Sequence, residues 1–106
     1  MSEITTQKMI SKLEVLQFRT WALVGLVEML SNKKSPQLTR NLSQWQFDVI
    51  EFINDIPVAI GNKDNMINTL SGLNIKYPAD HVLNVIDGYL LSIKAILDKL
   101  EGQNEK

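Results

Sequence analysis

His81 is the only imidazole in the chain, and there is no cysteine. Thiolate metal sites, iron–sulfur clusters, disulfides and cysteine nucleophiles are therefore excluded. A histidine base needs an orienting partner and a pocket. His81 instead falls in the first turn of an amphipathic segment, with Asp80 and Asn84 on its polar arc, and reads as a surface residue. Gln44, Asp48, Glu51 and Asp55 are a second group with chemical potential. Their spacing puts three carboxylates on one face of a helix, and aligned carboxylates can hold a hard cation. The same stripe is also the edge of a salt-bridged helix pair, and basic residues at matching positions on the preceding helix favour that reading.

The Glu-x-x-His pairs of carboxylate bundle metal sites do not occur. Neither do Gly-x-Gly-x-x-Gly or Walker-type loops. Gly61-Asn62-Lys63-Asp64-Asn65 reads as a turn into a helix start, which can attract an anion as any helix start can. It lacks the alternating acidic residues of a Ca²⁺ loop. No residue is assigned a catalytic, cofactor or metal role. The expectation is a protein that is not an enzyme and carries no cofactor.

Charge and hydropathy limit the partners. Eleven basic and twelve acidic side chains leave a formal charge of -1, which is no footprint for a phosphate backbone. Lys33, Lys34 and Arg40 cluster at the start of the second helical segment, without interleaved aromatics. Trp21, Trp45 and Phe52 stand at helical spacing and are expected in the core, whereas Phe47 points away from it. The most apolar run, Trp21 to Leu30, is far shorter than the ~20 residues a bilayer demands and contains Glu28. Glu28 is expected at a solvated edge. The N-terminus has no secretory signal pattern. A cytoplasmic protein is expected, with no nucleic-acid or membrane partner.

The apolar spacing is helical throughout. Met9, Leu13, Leu16, Thr20, Leu23, Val27 and Leu30 step by four and three, the signature of a heptad seam. Leu38, Leu42, Trp45, Val49, Phe52 and Ile56 repeat it, and so do Ala79, Leu83, Ile86, Leu90, Ile93, Leu97 and Leu100. Met66, Ile67 and Leu70 mark a shorter helix. Ser35-Pro36 is a helix start signal, and Tyr77-Pro78 is another. The expected fold is all-α: one antiparallel helical bundle domain of three long helices plus one short helix. The helices span about 5–31, 36–60 with a break or kink at Pro57, 64–71 and 78–101, and a polar tail covers 102–106.

A short break between the first two helices makes them antiparallel. Aligning their seams sets Thr20 against Trp45, Leu16 against Val49, Leu13 against Phe52 and Met9 against Ile56. In that register Arg19 faces Asp48 and Lys12 faces Asp55. The last helix, apolar from Val82 to Leu97, is then expected on the other side of the pair. Its groove there is lined by Ile10, Val24, Ile53 and, if the second helix continues, Ile60.

One apolar feature is left over. Val15, Phe18, Ala22, Gly25, Leu26 and Met29 form a second stripe on the first helix, away from its seam. A helix at the edge of a bundle should be polar there. Either the short helix covers the stripe or it is a partner-binding face, with Phe18 and Met29 as anchors. The expected function is protein–protein binding, as a homodimer or with another protein, in an adaptor, inhibitor or immunity-type role. An obligate structural subunit of a larger complex is the alternative. A small enzyme or ligand-binding bundle would need a pocket lined by Asp87, Tyr89 or His81.

Overall fold

The computed structural model describes residues 2–30, 35–56 and 63–104. The described residues form four helices: α1 (Ser2–Met29), α2 (Pro36–Asp55), α3 (Lys63–Ser71) and α4 (Ala79–Asn104). It is the expected all-α bundle of three long helices and one short one.

Local chemistry sets the helix ends. Ser35 stays extended, and its Oγ accepts the Leu38 N–H at 3.4 Å while Pro36 occupies the first turn. This is the start that serine followed by proline favours. Helix α2 shows the expected break before Pro57. It ends at Asp55, and Ile56 is extended at φ -72° and ψ 121°, the conformation that a residue before proline prefers. Pro57 to Ile60 lie outside the described residues. In contrast, α4 continues past the expected end through Gly102 to Asn104, because a glycine weakens a helix by only ~1 kcal/mol and does not stop it.

The connection from α3 to α4 closes on Gly72. Its carbonyl accepts the N–H groups of Ile75, Lys76 and Tyr77 at 2.9–3.0 Å. Asn74 takes the left-handed conformation at φ 61°, which asparagine tolerates. A Cβ on Gly72 would stand 2.6 Å from the Tyr77 ring, so only glycine lets the ring close over the turn.

The layers follow from the seams. Helix α1 packs on both α2 and α4, and α3 packs on α2 and α4 but makes no close backbone approach to α1. The α1–α2 register is the expected one. The Trp45 indole N–H donates to Thr20 Oγ1 at 2.8 Å, and Thr20 Oγ1 donates in turn to the Leu16 carbonyl at 2.7 Å. Both side chains are fully buried, so the relay satisfies two polar groups that could not otherwise be left dry. Arg19 Nη1 meets Asp48 Oδ2 at 2.7 Å on the rim, and Gln44 Nε2 donates to the other Asp48 oxygen at 2.9 Å. The expected Lys12–Asp55 pair is not formed. Both residues border an open cleft between the helices, and Asp55 is the last residue of α2.

The α1–α4 pairing has its own register. Gln7 meets Glu101, Glu14 meets Lys94 and Trp21 meets Asp87. The partners step by seven in opposite directions, as an antiparallel heptad pair must. Ile10 and Val24 pack against the core and Ile53 is fully buried. Gln17 lies midway between Ile10 and Val24 in the same heptad row. It is only 4% exposed, and its Nε2 has no hydrogen-bond partner.

Two stability measurements follow. Thr20→Val keeps the side-chain shape but leaves the Trp45 N–H unpaired, so chemical denaturation should register a loss of about 1–3 kcal/mol. Trp45→Phe should then cost about 1 kcal/mol less in the Thr20→Val background than alone; additive effects would rule out the relay as a stabilising unit. Gln17→Leu preserves helix propensity and removes a dry donor. It should raise stability by about 1 kcal/mol, and a loss instead would mean that the amide is satisfied in solution.

Candidate interaction surface

The second stripe of α1 is open. Val15 is 58% exposed, Phe18 71% and Met29 75%. Leu26, Ala22 and Gly25 are exposed as well. The stripe faces away from α2 and α4, and α3 lies across the bundle from it. The short helix therefore does not cover it. An added Cβ on Gly25 would meet nothing within 4 Å, so nothing in the chain's own packing calls for the glycine.

Trp21 corrects the sequence expectation. It is not a core residue: 54% of it is exposed, and its indole N–H donates to Asp87 Oδ1 at 2.8 Å across the α1–α4 edge. The reason is geometric. Trp21 steps by seven from Glu14 along the edge that meets α4, not along the inner seam. Leu91, half-exposed, lies four residues after Asp87 and three before Lys94. That places it on the same edge of α4, level with the turn of α1 that carries Phe18. Trp21 and Leu91 thus widen the stripe. The cross-helix pairs Glu14–Lys94 and Trp21–Asp87 were the signal for it, since complementary groups repeat there at heptad spacing in both helices.

On its other flank the stripe borders the cleft between α1 and α2, about 340 Å³ in volume. Ser11, Val15, Leu16 and Phe52 supply its apolar and neutral lining, with Lys12, Arg19, Asp48, Glu51 and Asp55 as its charged groups. Val15 belongs to both cleft and stripe. The acidic stripe foreseen on α2 is this wall. Among the described residues, no group of three or more histidine or carboxylate side chains is arranged to hold a metal ion.

The remaining candidates are dispersed. His81 is exposed, its ring 5.4 Å from that of Tyr77, and its backbone N–H donates to Asp80 Oδ1. His81 and Tyr89 line neither the α1–α2 cleft nor a second cleft at Ser35–Arg40. Glu28 is exposed, at the solvated edge expected for it, and so is Phe47. Lys33 and Lys34 lie outside the described residues, leaving Arg40 alone of that basic cluster. No helix among the described residues is long and apolar enough to cross a membrane.

Compared with known proteins, the chain matches no family model, no curated sequence and no solved structure.

Proposed function

We propose that the chain is a non-catalytic, cytoplasmic helical protein that acts by binding another protein chain, and that the outer face of α1 is where the partner seats. One observation carries this reading: the stripe of Val15, Phe18, Ala22, Gly25, Leu26 and Met29 is apolar, and among the described residues no other helix lies over it. Scattered exposed apolar residues are ordinary. A contiguous patch on the order of several hundred Å² is not, and marks an interaction site.

The chemistry of the stripe suits a helix. Its residues step by three and four along α1, so a partner helix lying alongside meets an unbroken row. Ala22 and Gly25 keep the middle of the row low, and Phe18 and Met29 rise on either side as anchors. Aromatic and methionine side chains are enriched at the cores of interfaces. An adaptor, inhibitor or immunity-type role fits a rigid bundle that presents one such face. The partner is a second copy or a different protein. Phe47 on α2 and Ile75 in the turn before α4 are exposed apolar residues away from the stripe. They favour the alternative, a structural subunit held on more than one side.

Phe18→Asp tests the reading on the full chain. Phe18 is exposed, so its unfolding free energy should change by less than about 0.5 kcal/mol. The variant should fail to retain the protein that the unaltered chain retains in affinity capture from its native source. Unfolding of the variant would put the stripe in the core, and unchanged capture would put the partner elsewhere; either result overturns the reading.

A further inference from the structure

The outer stripe of α1 runs between two acidic edges. On the α2 side Asp48, Glu51 and Asp55 stand against Lys12 and Arg19, an excess of one carboxylate. On the α4 side, Asp80, Asp87, Lys94 and Glu101 form one heptad row, three carboxylates to one cation, and three of the four are tied to α1. Two of the nearby cations are engaged within the fold, Arg19 with Asp48 and Lys94 with Glu14, whereas Lys8 at the far end of the stripe is exposed. Among the described residues Glu51 and Asp55 have no hydrogen bond or ion pair. Lys12 is the one cation in their cleft without such a partner. Asp87 receives only a neutral indole N–H, so its charge is not cancelled.

From this distribution we infer that the face binds an amphipathic helix of a different protein, one whose apolar side is flanked by lysine or arginine. The inference rests on the reading of α1 as the docking helix and adds the partner's chemistry. A two-fold contact between copies must set the edges of one copy against the edges of the other. The α4 edge carries the larger excess, three carboxylates to one cation, so a self-pairing that sets this edge against its copy opposes carboxylate to carboxylate. A basic-flanked helix meets opposite charge on both sides, which speeds encounter and fixes its orientation. Its apolar side covers Phe18 and Met29, and its cations reach Glu51 and Asp55 on one flank and Asp87 on the other.

The test uses the full chain and two synthetic helical peptides with the same leucine-based apolar face, one flanked by lysine and the other by glutamate. Titration calorimetry should give the lysine peptide at least about tenfold tighter binding, with the gap narrowing as salt is raised. Phe18→Asp should abolish binding. Glu51→Gln combined with Asp55→Asn, both exposed, should shrink the gap between the peptides without unfolding the chain. Equal binding of both peptides, still lost in Phe18→Asp, would overturn the inference and leave the docking face standing. So would a dimer in sedimentation that Phe18→Asp disperses. Binding of neither peptide, or binding indifferent to Phe18→Asp, would overturn it as well, and the capture experiment with the same variant then decides separately whether α1 is a docking face.

Discussion

The buried hydrogen bond from Trp45 to Thr20 is the constraint around which the bundle is arranged. An indole N–H cannot be dried without an acceptor except at considerable cost. Thr20 is the acceptor, and it stays available because its own proton goes back to the Leu16 carbonyl. Apolar layers alone tolerate slippage by a heptad, since leucine replaces leucine. A single polar contact between the one tryptophan and the one threonine of these two seams does not. It fixes how far α2 slides along α1, and thereby brings Arg19 to Asp48 and leaves the carboxylates of α2 on one rim.

Helix α1 is apolar on more of its circumference than an edge helix should be, and the structure divides that circumference. One arc is the seam with α2. The adjacent arc, with Ile10 and Val24, meets α4, and α3 closes the bundle from the far side. What remains is the outer arc with Phe18 and Met29. A small bundle gains nothing from exposing such side chains, and the helix could have been polar there at no loss of packing. On the proposed reading, the residue types on that arc answer to a partner outside the chain. Gly88 has no equivalent account: a Cβ there would also meet nothing, and nothing in the structure explains the glycine.

Much of this is legible in the sequence. Heptad steps locate the inner faces, because burial of one face of a helix imposes that period on the sequence. Complementary charges at flanking positions gave the Arg19–Asp48 contact. Other features were hidden for physical reasons. Trp21 read as core because a large aromatic at helical spacing usually is, but an indole with one polar edge is equally at home half-exposed against a carboxylate. Gln17 gave no sign of burial, since a lone polar residue in a row is ordinarily what breaks an apolar face. The Lys12–Asp55 pair failed because charge complementarity specifies which groups are compatible, not whether helices stay close enough at their ends to join them. The stripe of α1 was visible as a row, whereas its exposure depended on where α3 went, and nine residues of modest amphipathicity do not encode that.

The two tryptophans of the chain end up in opposite surroundings. Trp45 is sealed in the core on a neutral hydroxyl, and Trp21 stands half in water on a carboxylate, at the border of the outer stripe. Their emission therefore carries two separable signals. The core indole responds only when the fold opens. The surface indole is accessible to aqueous quenchers and shifts when its water is displaced. Light from one molecule thus distinguishes loss of structure from occupation of a surface, with no label attached to either.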